Sequence, residues 1–167
     1  LIIVFGFFYF PLIISIPYYF SIYNLSFIDC YFESVSGFTS TGFSIFENIK
    51  YIDETLIIWR ATSQWLGGLF FLFSLILLID IFNFKLKNFF TSLISINLSE
   101  TKKQFLKIVV LYFLLTLLIF ILLSMANIRF FDSFNMSMTI ISSGGFLPSN
   151  FIEDIISKDN QKIIFNI

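Results

Sequence analysis

The sequence predicts an all-α membrane protein assembled from repeated units of span, re-entrant half-span and span. Three observations predict it. Of 167 residues, 57% are hydrophobic and 13% are charged, about half the charged share of an ordinary soluble domain. Three apolar runs are long enough to cross a bilayer, which takes about 20 helical residues. Two segments offset by 103 residues repeat one pattern of Asp, Ser, Gly and Phe.

The first run, 1–23, carries no formal charge, and its Pro11 and Pro17 predict a kinked or broken helix. The second, 55–79, holds one charge, Arg60, near its start, and the third, 105–126, holds Lys107 near its start. Residues 27–38 and 130–141 are apolar too, but at about a dozen positions each they fit re-entrant or interfacial elements better than spans. The order is therefore span, half-span, span, connector, span, half-span. It divides the chain into a first pore repeat (1–80), a connector (81–103) and a second, incomplete repeat (104–167). The chain opens at Leu1, already inside an apolar run and without a basic lead-in, as expected of an internal piece of a longer protein.

Charge orients the spans. The connector and the entry to the third span carry Lys85, Lys87, Lys102, Lys103 and Lys107 against Glu100 alone, half of the ten basic residues. The positive-inside rule puts this connector in the cytoplasm. Glu47, Asp53 and Glu54 against Lys50 follow the first half-span, and Glu153, Asp154 and Asp159 against Lys158 and Lys162 follow the second, so both half-spans are expected to dip in from the outer face. Asp80 with Lys85 and Lys87 marks the cytoplasmic boundary. A net charge of −1 gives no basic excess for binding nucleic acid. Histidine is absent and Cys30 is the single cysteine. A His/Cys zinc site, a Ser–His or Cys–His catalytic pair and an internal disulfide are thereby excluded within this chain.

The internal repeat aligns FIDCYFESVSGFTSTGF (27–43) with FFDSFNMSMTIISSGGF (130–146). The identities are Phe27/Phe130, Asp29/Asp132, Ser34/Ser137, Ser40/Ser143, Gly42/Gly145 and Phe43/Phe146. In each copy Asp29 or Asp132 is expected to cap a helix start. About twelve helical residues then span roughly 18 Å, enough to reach the midplane. The helices are expected to stop at 39–43 and 142–146, where small hydroxyl and glycine residues follow. Non-helical backbone at membrane depth is tolerated only when buried in protein or lining a water-filled cavity. Neither loop contains Asp or Glu, so the oxygens on offer are carbonyls and hydroxyls. Such neutral cages suit a weakly hydrated monovalent ion such as K⁺, and the C-terminal ends of the two short helices favour a cation.

Arg60 reads first as an interfacial anchor that snorkels or pairs with Asp53 or Glu54, and second as a charge tuning cation entry. Glu33, which has no acidic counterpart at Met136, is either a structural hydrogen-bond partner or an electrostatic aid to cations. Trp59 and Trp65 read as belt and packing residues before ligands, and Gly67 and Gly68 as sites of close helix packing before a hinge.

FESVSGFTSTGFS followed by IIWRATSQWLGG resembles the TrkH/TrkG/KtrB superfamily of K⁺ transporters, its TrkH-like members most closely. The block Trp59, Arg60, Gln64, Trp65, Gly67, Gly68 is the most specific element, and TIISSGGF resembles the family's second filter. The resemblance implies four span–pore-helix–span repeats around one ion path, as in K⁺ channels, with the first two of the four present here. It implies K⁺ as the transported ion, with no organic cofactor and no enzymatic activity. A multi-pass place in the bacterial inner membrane, among lipid, is implied as well. So are a homodimer and a cytoplasmic, nucleotide-binding, TrkA-like regulatory subunit. Carried over by alignment, Ser40, Thr41, Ser143 and Gly144 would supply K⁺-coordinating carbonyls, with Gly42 and Gly145 at the glycines that follow. Phe43 stands where the family tends to have Ala, Leu147-Pro148-Ser149 replaces a Ser-Thr, and the connector lacks a Gly-rich stretch. The competing expectations are a non-conducting membrane scaffold or assembly subunit and, more weakly, an intramembrane enzyme. The enzyme would need carboxylates that meet at depth, yet Asp29, Asp80 and Asp132 fall at segment ends.

Overall fold

The computed structural model describes residues 2–82 and 101–156. The helices, in order, are α1 (Ile2–Ser21), α2 (Phe27–Phe38), α3 (Glu54–Phe82), α4 (Thr101–Met125), α5 (Phe130–Ser142) and the one-turn α6 (Ile152–Ile155). A 3₁₀ turn over Ile49–Tyr51 precedes α3. No strand occurs among the described residues. Most of the connector, with Lys85 and Lys87, lies outside the described residues, as do Lys158, Asp159 and Lys162.

Helices α1, α3 and α4 contain the stretches long and apolar enough to cross a membrane: Ile3–Ser21, Glu54–Leu75 and Phe105–Met125. Each proline inside α1 removes one backbone donor, and of the two expectations, a kink or a break, the break does not occur: the helix runs on past both Pro11 and Pro17. The indole of Trp59 donates to the Ile14 carbonyl at 3.0 Å, fastening α3 to α1 beside Pro17.

Burial runs opposite to that of a soluble protein. Phe5, Phe8, Leu106, Leu114 and Leu118 on the long helices are exposed, while the largest fully buried side chains include Arg60, Gln64, Glu33 and Asn135. Apolar surface outward and polar groups inward is the arrangement that lipid selects. Two apolar clusters anchor the fold. One gathers Ile14, Tyr18, Cys30, Phe38 and Leu56; the other gathers Leu123, Ile128, Met136, Ile155 and Ile156. Edge-on ring contacts of Phe70 with Phe7 and Phe10 tie α3 to α1, and Phe38 brings in α2. Helix α3 packs against both short helices, α2 on one side and α5 on the other, so it joins the two halves.

The starts of the short helices differ from expectation. Asp29 and Asp132 are not caps but the third residues of their helices. Ser26 caps α2: its Oγ accepts from the Asp29 amide at 3.2 Å and donates to Asp29 Oδ2 at 2.7 Å. That reciprocal pair needs a hydroxyl three residues before the carboxylate, which is why the serine takes the cap. Helix α5 begins after Arg129 with no side-chain cap bond. Both carboxylates still face the positive end of a helix dipole. Ser26→Ala should lower the stability of the full-length protein by about 1 kcal/mol, and Ser26→Asn by a few tenths. Thermal unfolding in detergent checks this, and equal losses in the two variants would remove the cap from the account.

Candidate functional site: two facing loops

Helices α2 and α5 end in the same way, 103 residues apart. In the first, the Ser40 amide donates to Gly37 O at 3.0 Å and the Thr41 amide to Ser36 O at 2.9 Å. In the second, Ser143 donates to Ile140 O at 3.1 Å and Gly144 to Thr139 O at 2.9 Å. This pair of bonds is the Schellman termination, which turns one residue into the left-handed region. Here that residue is a serine, not the usual glycine: φ is +54° at Ser40 and +55° at Ser143. Two residues on, Gly42 and Gly145 take φ of +82° and +80°, angles that side-chain-bearing residues rarely adopt.

A hydroxyl then ties each loop back to its helix. Ser36 Oγ donates to the Phe43 carbonyl, and Thr139 Oγ1, its counterpart 103 residues later, donates to the Phe146 carbonyl at 3.0 Å. The two loops meet at their glycines. A Cβ placed on Gly42 would lie 3.4 Å from Gly145 Cα, and one placed on Gly145 would lie 3.7 Å from Gly42 Cα. The structure thus brings Gly42, Gly144 and Gly145 together. Thr41, Ser143 and Gly145 are exposed, Ser40 and Gly42 are half-buried, and Gly144 is buried. Thr39 and Thr41 pair through their hydroxyls at 2.6 Å.

Arg60 corrects its first reading. It is no interfacial anchor and does not bind Asp53 or Glu54. It is buried, and its Nε donates to Glu33 Oε1 at 2.9 Å, with both side chains almost wholly shielded. Its Nη2 donates to Ser44 Oγ at 3.0 Å, and its Cζ lies 4.2 Å from the Phe146 ring centroid. Glu33 also accepts from the Ile45 amide at 2.9 Å and from Ser44 Oγ at 3.2 Å. Glu33 is therefore the structural partner, and the pair holds the backbone just past the first loop. Two opposite charges inside mostly apolar segments, Glu33 in 27–38 and Arg60 in 55–79, were the available signal, since buried charges in membranes pair.

Further contacts join the halves. Gln64 reaches the second loop, donating to Gly144 O and accepting from Phe146 N. Trp65 Nε1 donates to Thr116 Oγ1 at 2.9 Å. Asn150 accepts from the Ile49 amide at 2.6 Å and donates to Asn48 Oδ1 at 2.9 Å. Glu54 pairs with Arg129 at 3.1 Å on the surface. Above the glycines opens a cavity of about 290 Å³, lined by Gly42, Ser44, Glu47, Arg60, Gly145 and Asn150 among others. No group of three or more His, Cys, Asp or Glu able to hold a metal occurs among the described residues. The donors that the loops themselves offer are neutral oxygens.

Three spans, inward polar groups and two terminated short helices define an all-α, multi-pass membrane protein. No family model matches the chain. It is 30% identical over 146 residues to an uncharacterised cation transporter of Methanocaldococcus jannaschii, a match covering 82% of this chain and 29% of that protein. It is 39% identical over 59 residues to the Trk system potassium uptake protein TrkI of Halomonas elongata (35% of this chain, 11% of the relative). With TrkG of Escherichia coli, also a Trk system potassium uptake protein, it shares 37% over 46 residues (28% and 10%). Over these partial stretches the matches support a likeness to the TrkH-like superfamily. The chain spans less than a third of the length of these relatives.

Proposed function

We propose that this chain is the part of a TrkH-like transporter that carries its first two pore repeats, and that K⁺ crosses the membrane past the facing loops. One observation carries the proposal: two loops with the same hydrogen bonds and the same backbone angles touch at their glycines. A packing element needs no such matched pair, whereas an ion path shared by repeats requires one. The names of the relatives, a cation transporter and potassium uptake proteins, support the same reading.

In this reading residues 1–80 and 104–167 are the two repeats, α2 and α5 enter from the outer face of the bacterial inner membrane, and 81–103 is cytoplasmic. The carbonyls of Ser40, Thr41, Gly42, Ser143 and Gly145 replace part of the water around K⁺. Gly144 contributes less, because its carbonyl already accepts from Gln64. Each short helix adds about half a negative charge at its end, which favours a cation without the strong grip of a carboxylate. Dehydrated ions step inward down their electrochemical gradient, and no bond is made or broken. Homodimer formation and control by a cytoplasmic nucleotide-binding subunit belong to the same proposal.

The test uses the full-length parent protein. Gly42→Asp and Gly145→Asp each force a side chain onto a left-handed backbone and put a carboxylate at the loop contact. Both should abolish growth of uptake-deficient cells on low K⁺ and ⁸⁶Rb⁺ flux into proteoliposomes. Unchanged growth in both variants would sink the pore reading, and a correctly inserted wild type without Rb⁺ flux would make the protein a scaffold.

A further inference from the structure

One buried side chain holds the second loop from a helix of the other repeat. Gln64 is fully buried on α3. Its Nε2 donates to the Gly144 carbonyl, and its Oε1 accepts from the Phe146 amide at 3.3 Å. The side-chain amide therefore bridges the peptide groups on either side of Gly145, the residue with φ of +80° that touches Gly42. The fit is close: a Cβ on Gly144 would overlap the Gln64 amide group. Glycine is needed there to make room for the clamp. One turn earlier on α3, Arg60 stacks on the ring of Phe146 and holds the same turn from another side.

The first loop is held differently. Thr41, which corresponds to Gly144, is exposed and pairs through its hydroxyl with Thr39. The two loops share their backbone course and a hydroxyl tie to their helices, but Gln64 bonds the second loop, so a change at residue 64 acts first on that loop. A glutamine suits the task because it offers one donor and one acceptor on a rigid plane. Both of its bonds are buried, where an unmade partner is costly.

We infer that Gln64 is a positioning residue that fixes the carbonyls of the second loop and thereby sets discrimination among monovalent cations. This rests on the transport reading above. Rejection of a smaller ion depends on how firmly the surrounding oxygens are kept apart, and Gln64 bonds both Gly144 and Phe146 from the other repeat.

The experiment compares Gln64→Met and Gln64→Glu with wild type in the full-length protein, reconstituted in vesicles, reading the ratio of ⁸⁶Rb⁺ to ²²Na⁺ flux. Methionine keeps the length and loses both bonds. Glutamate keeps the shape and one acceptor, but sets a second oxygen against the Gly144 carbonyl. Each should lower the ratio roughly tenfold, the scale of one lost buried hydrogen bond, while Na⁺ flux persists. Should the methionine variant fail to fold, the glutamate variant carries the test. A wild-type ratio in a folded variant, or a fall in both fluxes with the ratio unchanged, would overturn the assignment. Absence of Rb⁺ flux in the wild type would instead remove the transport reading on which it rests.

Discussion

Arg60→Met should cost the folded full-length protein about 3–5 kcal/mol, the range for breaking a buried ion pair from one side. The reason is Glu33. Fully buried in α2, it accepts from Arg60 Nε, Ser44 Oγ and the Ile45 amide. Methionine fills much of the guanidinium's volume but leaves that carboxylate without its counter-charge. Glu33→Gln should be costly as well, because it strands the guanidinium over Phe146. The double variant Glu33→Gln with Arg60→Met leaves no charge buried and should recover a large part of the loss, giving a coupling well outside the additive range of about 0.5 kcal/mol. Arg60→Lys should not rescue. An ammonium cannot make the Nε and Nη2 contacts from one plane while stacking on a ring. Heating in detergent followed by size-exclusion chromatography reads all four variants. Additive losses, or a lysine variant as stable as wild type, would show that the pair does not hold the fold.

The same pair marks where the sequence stops being readable. Helix-length apolar runs, the two short apolar segments and the 103-residue offset are local or periodic features, and periodicity survives in a one-dimensional string. The loops were legible for that reason, and the equivalence extends beyond the identities. Ser36 and Thr139 match as hydroxyls, and each bonds the carbonyl of the phenylalanine seven residues on. Arg60 was misread because its sequence neighbours, Asp53 and Glu54, offer nearer partners along the chain than Glu33, 27 residues away. Only the packing of α2 on α3 brings Glu33 within reach. Gln64 stood out in the motif, but its partners Gly144 and Phe146 lie 80 and 82 residues on, and nothing in spacing discloses such a contact. The caps were missed for a smaller reason. Asp29 is a good cap by type, but Ser26 three residues earlier makes the reciprocal bond that Asp29 could not make with itself.

Gly67→Ala should be the most damaging single methyl group in the described chain. A Cβ there would overlap the backbone carbonyl of Phe38, the last residue of α2, and no rotamer change can move a carbonyl aside. The neighbouring contact is almost as close, since Gly37 of α2 abuts the Ser63 hydroxyl of α3. Small residues on facing helices let backbones approach in lipid, where dispersion and not water exclusion drives association. Separating them therefore removes the attraction itself. The added methyl must push α2 away from α3 at the point where the first loop begins, so Ser40–Gly42 move relative to Gly145. Stability should fall by about 3 kcal/mol or more, the upper end for overpacking, and Rb⁺ flux should disappear with it. Gly6→Ala supplies the contrast. The three atoms nearest its Cβ would all belong to the ring of Phe70, a side chain that can give where a backbone carbonyl cannot, and alanine gains up to about 1 kcal/mol over glycine in a helix. That variant should stay within about 1 kcal/mol of wild type and keep its flux. If Gly67→Ala unfolds at the wild-type temperature, or if Gly6→Ala is hit as hard, backbone contact between α2 and α3 is not what holds the first loop in place.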